Sequence, residues 1–569
     1  MDENINQTLI SDRTGLEYDK PDDELLFAID SAINESKELK SKMDKVADFN
    51  FDYWQKGTHE DLTKIHPTKS KVVVNRIFTD METSIPIITS ETPEPAILGA
   101  IDNNAKTKII KALDNAYDVS SKMQQVLQVM VRSWYISRIG IIKYRFDGEK
   151  CITENVSPRN IGFDGRATGI YRDCEYVWEQ LEDTQENLIA KFPKKKKEIE
   201  QIFGQDKTPK SKIRYIEFWG GGGEWVCWKL KNIILDKKKN PNFDYDNPDN
   251  NLFEKPRFPY IILNVFHTGK GNGLYDETSL IEECAPIQES VNKLEQIIFD
   301  LNEGRKRVWI ASGEAISEEK AQKLINETGD LMVYLDRKGN KDAVGQVQAG
   351  NPDSGMYNNL THLLGEIDNI MGMHSTTRGE RAQQETATGR QLLVGSDYGR
   401  MDLIVRNLEQ CAEDWFNAYL QMLKVYQYGE VFGEDGGQVE LRADEIPTNI
   451  SIMVTKGSTL PIDDKSKKDN AIALAQMGMI DPQSLLEEMG YPDTEERVQR
   501  LYQWLAATGR MNPQAVGAQQ GGEQVQEQQL QRIQSLVNLP QFKQLPESEQ
   551  REYLQQARQA VAKVAEQQQ

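Results

Sequence analysis

The stretch Leu280-Ile-Glu-Glu-Cys-Ala-Pro-Ile-Gln-Glu-Ser-Val-Asn-Lys-Leu-Glu-Gln-Ile-Ile-Phe-Asp-Leu301 decides how this chain is organised. Within it Leu280, Cys284, Ile287, Val291, Leu294, Ile298 and Leu301 recur at alternating intervals of four and three. That spacing is a heptad seam, the pattern of a helix that buries one stripe against another helix. Pro286 lacks an N–H and is expected to kink the helix without ending the seam. A second seam follows at Tyr357, Leu360, Leu364, Ile367 and Met371. Between the two, residues 304–352 lose helical period and carry strand-like runs at 307–311 and 331–335. Two seam-bearing helices therefore flank a small mixed insert.

Toward the C-terminus, residues 375–391 form a polar stretch containing Arg378, Arg381, Gln383 and Gln384. A helix is expected over 391–426, with Trp415, Phe416 and Tyr419 on its apolar side. Short strands at 439–441 and 450–454 precede a turn at Pro461-Ile-Asp-Asp464, and two or three helices fit 465–508. The last 58 residues hold 18 glutamines yet keep apolar spacing at Leu530, Ile533 and Leu536 and at Leu554, Ala557, Val561 and Val564. They read as an exposed helical tail.

Toward the N-terminus, residues 1–25 are polar and acidic, a loosely ordered arm with none of the pattern of a signal peptide. Leu25, Leu26, Ile29 and Ile33 begin a helix that runs to the aromatic cluster Phe49, Phe51, Tyr53 and Trp54. Residues 72–88 predict a helix stopped by Pro86, and 105–137 predict one more, ending near Gly140. Then β-branched and aromatic runs take over at 139–146, 151–156, 171–180, 213–219, 225–235 and 259–266. Gly220-Gly-Gly-Gly223 reads as a hairpin turn between two of them, and an inserted helix fits 183–203. The fold class is α+β, mainly α.

The chain has 569 residues, too many for one core, and its hydrophobic and charged fractions of 38% and 28% suit a solvated globular protein. No apolar run reaches the length of a membrane span. Five dispersed cysteines without a C-x-x-C suggest free thiols and synthesis in a cytosol. The net charge of −21 argues against tight phosphate binding; acidity for solubility accounts for it, and it is also compatible with a surface past which DNA slides without being held.

Chemistry is conspicuous by its absence from the sequence. There is no G-x-x-x-x-G-K-[ST], G-x-S-x-G or H-E-x-x-H, and Gly269-Lys-Gly-Asn-Gly273 has the wrong spacing for a phosphate loop. Pro248-Asp249 with Glu254-Lys255 misses the spacing of a metal-dependent nuclease, and no histidine has a partner at usable spacing. Asp22-Asp23 and Asp463-Asp464 read as solvated pairs, as does the basic block Lys194-Lys-Lys-Lys197. No catalytic residue, metal or cofactor is expected.

Taken in order, these elements resemble the portal proteins of tailed double-stranded-DNA bacteriophages. The resemblance is carried by 72–95, by 258–308 with Pro286-Ile-Gln-Glu-Ser-Val-Asn-Lys293, and by 365–423. It implies a ring subunit with a flexible arm (1–25), a wing (26–276), a first stem helix (277–303), a clip (304–352) and a second stem helix (353–374). A tunnel loop (375–390), a long wing helix with return strands (391–462), a crown (463–510) and the glutamine-rich tail (511–569) would follow. The family assembles as dodecamers at one capsid vertex, the channel for DNA packaging and ejection. Terminase large subunit and head–tail adaptor dock on the clip, and major capsid and scaffold proteins surround the ring. The resemblance implies stem packing by Leu280, Ile287, Val291, Leu294, Ile298, Leu301, Leu360, Leu364 and Ile367. Arg305, Lys306, Arg307 and Trp309 would meet terminase or adaptor, and Arg378, Arg381, Gln383 and Gln384 would touch passing DNA non-specifically. It places the protein in the virion, with assembly in the host cytoplasm and no membrane. The residues also leave room for a nucleic-acid-processing enzyme, or for another structural head–tail connector component.

Overall fold

Three acids, Asp22, Asp23 and Glu24, open the first helix, α1 (Asp22–Lys56), where negative charge meets the positive end of the helix dipole. Gly57 closes it in the left-handed region at φ 70°, its N–H donating to the Tyr53 carbonyl. The computed structural model describes residues 16–61, 70–99, 101–203, 212–271, 273–302, 308–311, 344–347, 352–373, 387–434 and 437–455 of a first unit, Met1–Pro461. Of a second unit, Ile462–Gln569, it describes short pieces between 471 and 504.

After α1 come α2 (Arg76–Ile88), β1 (Pro95–Leu98), α3 (Asn103–Asn115) and α4 (Met123–Ser137). The β-rich part holds β2 (Gly140–Phe146), β3 (Cys151–Asn155), β4 (Ile161–Phe163), β5 (Val177–Thr184), α5 (Gln185–Lys191), α6 (Lys196–Phe203), β6 (Lys212–Gly220), β7 (Trp225–Leu230), β8 (Ile233–Lys239) and β9 (Tyr260–Leu263). Then follow α7 (Leu280–Asn302), β10 (Val308–Ala311), β11 (Val344–Val347), α8 (Ser354–Met371) and α9 (Ala387–Tyr426). The first unit ends with β12 (Glu430–Glu434), β13 (Gly437–Leu441) and β14 (Ser451–Val454). In the second unit the chain forms α10 (Pro482–Glu488), and Met477 and Trp504 are exposed there.

Several expectations need correction. The helix expected over 105–137 is two helices, separated by a π-turn at Ala116–Ser120 and by Lys122 at φ 49°. Asp118, Val119, Ser120 and Ser121 are weak helix formers, and the extra residue of the π-turn aims Tyr117 at Trp415 and Phe416, 5.9 and 5.8 Å away. Pro86 does not stop α2; it sits exposed in the last turn, where one intrahelical donor is lost at little cost. That helix starts at Arg76 rather than Val72, because the main chain of Ser70, Val72 and Val74 is bonded to side chains of α7. The run 225–235 is two strands joined at Lys231-Asn232, with Lys231 at φ 51°. The strand expected at 171–180 begins at Val177 and runs on to Thr184. Phe192-Pro193 breaks the inserted helix in two, and α7 remains helical through Pro286.

β4–β8 form an antiparallel five-stranded sheet in sequence order, and β3–β2–β9 form a second sheet of three. Strand alternation gives the large sheet two unlike faces. Trp178, Phe218, Trp225, Cys227 and Ile234 point to one, where Leu25, Ile29 and Ile33 of α1 cover them. On the other face, Val177, Trp219 and Val226 pack with Ile139, Ile141 and Tyr260 of the smaller-sheet region. Tyr215, Leu230 and Leu235 of that face pack under Leu188 and Phe192 of α5 and its C-cap and Ile199 of α6. The largest core joins α2, α3, α4, the small sheet, α7, α8 and α9, with Trp134, Tyr135, Trp415 and Phe416 fully buried.

Candidate assembly surface

The polar residues of α7 explain its orientation. Gln288, Asn292, Gln296 and Asp300 lie four residues apart on one side of the helix, facing the segment 70–76. The Arg76 N–H donates to Gln288 Oε1 (3.2 Å), and Gln288 Nε2 donates to the Val74 carbonyl (2.5 Å). The Val74 N–H donates to Asn292 Oδ1 (3.2 Å), and Gln296 Nε2 donates to the Val72 carbonyl (3.2 Å). The Ser70 N–H donates to Asp300 Oδ1 (2.9 Å), completing the ladder. Asn292 Nδ2 also donates to the Gly57 carbonyl (2.8 Å), tying the end of α1 to the same helix. Replacing Asn292 by Ala strips partners from two buried backbone groups and should lower unfolding stability by about 2 kcal/mol. Denaturant melts of the two proteins measure it, and an unchanged midpoint would remove the ladder from the account of stability.

Facing the ladder fixes which side of α7 is buried. Ile281, Cys284, Ala285, Gln288, Val291, Asn292, Ile298 and Asp300 are buried, a stripe that overlaps the heptad seam but is turned toward segment 70–76. Of the seam residues, Cys284, Val291 and Ile298 are buried, whereas Leu280, Ile287, Leu294 and Leu301 are only half-buried. α8 packs antiparallel to α7: Asn302 Nδ2 is 3.5 Å from the Tyr357 hydroxyl at one end. At the other end Arg76, whose N–H meets Gln288, grips Asp368 through Nε and Nη2 at 2.8 and 2.9 Å. Ile367 is buried there, and Leu360 and Leu364 are half-buried. Among the mainly polar residues that the hairpin leaves in solvent, such as Lys293, Asn358 and His362, stand the apolar Ile297, 36% exposed, and Tyr357, 46% exposed.

Trp309 lies in β10, opposite Gln346 of β11, so the far end of the hairpin carries a two-stranded antiparallel ribbon. Residues 344–347 were not singled out by the sequence pattern. Arg305, Lys306, Arg307, Arg378, Arg381, Gln383 and Gln384, with the run 331–335, lie outside the described residues, as does the tail 511–569.

A buried charge cluster locks the two sheets together. Lys143 of β2 reaches between them to Glu179 of β5 and Glu217 of β6, with Nζ 2.7 Å from each carboxylate. The Tyr260 hydroxyl donates to Glu179 (2.8 Å), and the Trp219 and Trp228 indoles donate to Glu217 (2.7 and 3.0 Å). Burial alone would lower the Lys143 pKa, but the two carboxylates outweigh it and raise it. Burial opposes ionisation of Glu217 too, yet Lys143 and the indoles hold its carboxyl below the usual range. Glu179 goes the other way: burial, only partly offset by Lys143, pushes it up. Sequence reading missed this cluster, since Lys and Glu in strands read as solvated positions.

Enzyme-like features are sparse among the described residues. A cleft of about 750 Å³ opens between Tyr171, Arg172, Arg257, Glu413, Asp414 and Asn417. Burial there pushes the Asp414 carboxyl up to about 6, and the Arg257 guanidinium lies 4.0 Å from it and 4.1 Å from the Phe253 ring centre. The lining includes no histidine, and its one cysteine, Cys174, is a buried thiol whose pKa burial raises. All five cysteines are free and buried. No described residues gather three His, Cys, Asp or Glu side chains as a metal site would, and no described helix is long and apolar enough to cross a membrane.

No protein-family model matches the chain, and no curated protein does. Among solved structures it is similar to a chain from the neck of an empty gene transfer agent (GTA) particle computed with C6 symmetry, at 10% identity and a TM-score of 0.36. It is similar also to a chain from the neck of a native GTA particle computed with C12 symmetry, at 8% identity and the same TM-score. Each match covers 76% of this chain and 94% of the other. Superpositions this loose do not establish a common fold.

Proposed function

We propose that this chain is a portal subunit: a non-enzymatic protein that closes into a ring at one capsid vertex and gives DNA its passage. The observation that carries the reading is the α7–α8 hairpin, which is clamped to the rest of the subunit along one side, ends in a β-ribbon, and keeps Ile297 and Tyr357 partly in solvent. Apolar side chains left partly in solvent on both helices of one hairpin suit a face that another copy covers. A copy related by rotation would cover it, and repetition of that contact closes a ring with an axial hole.

In this reading α7 and α8 are the stem. Residues 304–352 are the clip, where Arg305, Lys306, Arg307 and Trp309 meet the terminase large subunit and later the head–tail adaptor. Residues 375–390 are the tunnel loop, with Arg378, Arg381, Gln383 and Gln384 toward the channel. A few cations in an otherwise acidic chain give weak, salt-sensitive contact with phosphates, which lets duplex DNA move without sequence preference. Residues 463–569 form the crown and its tail, and major capsid and scaffold proteins are the outer partners.

Electron microscopy of the purified protein, with its mass in solution, tests the proposal. Rings of about twelve copies with a channel wide enough for duplex DNA are expected. A monomer that persists at high concentration with scaffold added would overturn it, and metal-dependent DNA cleavage would favour an enzyme instead.

A further inference from the structure

The five-stranded sheet lies between two helical layers of opposite charge. On one side, residues 17–35 carry seven acids and one base. Lys229 pairs with Asp30, and Lys237 lies 3.6 Å from Asp22, so two of these acids are partly neutralised from within the subunit. Glu17, Asp19, Asp23 and Glu24 remain exposed. Phe27, one turn beyond Asp23 and Glu24, is 79% exposed, an aromatic knob on an acidic surface. On the other side, α5, α6 and the turn between them carry Lys191, Lys194, Lys195, Lys196 and Lys197 against Glu186, Glu198 and Glu200, a basic patch in a chain whose net charge is −21. Lys195 and Lys196 pair loosely with Glu198 and Glu200, at 3.5 and 3.8 Å. Lys194, Lys197, Lys231 and Lys238 are exposed around the α5–α6 cap, and the Lys238 ammonium sits 4.8 Å from the Trp228 ring centre.

We infer that these two faces dock on each other between neighbouring copies of this chain, acidic α1 face against lysine-rich α5–α6 face. Two helix diameters and a sheet separate the faces by roughly 25–30 Å, while the screening length at ordinary salt is about 10 Å. The opposite charges therefore do not cancel within a subunit and stay available to a neighbour. Their arrangement selects the kind of contact. A two-fold pairing through either face would set like charge on like, whereas head-to-tail addition sets unlike on unlike at every contact. This deepens the ring reading and depends on it.

Charge exchange in the full-length chain is the test. One variant carries Lys194→Glu, Lys197→Glu and Lys231→Glu; a second carries Asp23→Lys and Glu24→Lys; a third carries all five. Sedimentation at low salt should give wild-type rings, and the concentration for half-assembly should rise about tenfold or more in each partial exchange. The third variant should return to near the wild-type value. Milder Lys→Gln and Asp23→Asn/Glu24→Gln versions should weaken assembly in the same order, which covers any folding fault from lysines at the α1 N-terminus. Rings that form equally well in every variant overturn this docking while leaving the ring reading standing. Failure of the five-fold exchange to recover, with loss of duplex-DNA binding in the lysine-to-glutamate variant, overturns it in favour of a nucleic-acid face. A wild-type chain that never assembles removes both readings.

Discussion

Ile297→Asp together with Tyr357→Asp should leave the subunit folded and abolish the ring. Both side chains are partly in solvent in the single subunit, so the substitutions add charge where the fold tolerates it. In a ring the same positions are covered, and a carboxylate buried there without a partner costs about 3 kcal/mol or more at each contact. That weakens every contact about a hundredfold. Because a closed ring repeats its contact around the whole circle, the penalty recurs at each interface and assembly collapses. Sedimentation and electron microscopy check the outcome, with circular dichroism reporting the fold. Rings at an unchanged concentration would place the subunit interface elsewhere.

The second large effect is expected within the subunit, from Lys143→Met. Methionine fills the volume of lysine but leaves Glu179 and Glu217 buried with no cation between them, a loss of about 3–5 kcal/mol. The thermal transition of a unit this large should fall by about 3–5 °C. The pH dependence has a definite sign. In the native protein the depressed Glu217 carboxyl contributes stability above the ordinary carboxylate range, lost as pH falls. Glu179, whose carboxyl is raised, contributes most at low pH, and its contribution declines as pH rises from the ordinary value to the raised one. In the methionine variant both carboxyls favour the protonated form, so the deficit should shrink between pH 8 and pH 5. A deficit independent of pH, or no deficit, would show that the cluster does not hold the sheets together.

The helix–insert–helix order was legible because periodicity is local: seven apolar residues at heptad spacing announce α7 without knowledge of its neighbours. What lay beyond reach were decisions made by distant residues. Gln288, Asn292, Gln296 and Asp300 look like a solvated helix side until segment 70–76 lies across them. They then turn α7 so that Leu280, Ile287, Leu294 and Leu301 are left half-buried. Lys143, Glu179 and Glu217 are separated by 36 and 74 residues from lysine to each acid, and nothing local marks them as partners. The break at Ala116–Ser120 belongs to the same class, since Trp415 and Phe416 give the bulged Tyr117 its place. The lysine block Lys194–Lys197 was visible as composition, but its significance depends on the sheet that sets it opposite α1.

The side-chain ladder on α7 has a mechanical consequence. Force along the helix axis loads its rungs in shear, so they share the strain and must yield together, whereas force across the axis would peel them one at a time. All of the rungs end on the main chain, at Ser70, Val72, Val74 and Arg76, leading into the start of α2, so thrust on the hairpin passes directly into backbone. The hairpin is thus a stiff strut along its length and compliant sideways, which in the proposed ring would let it bear axial thrust while its neighbours shift.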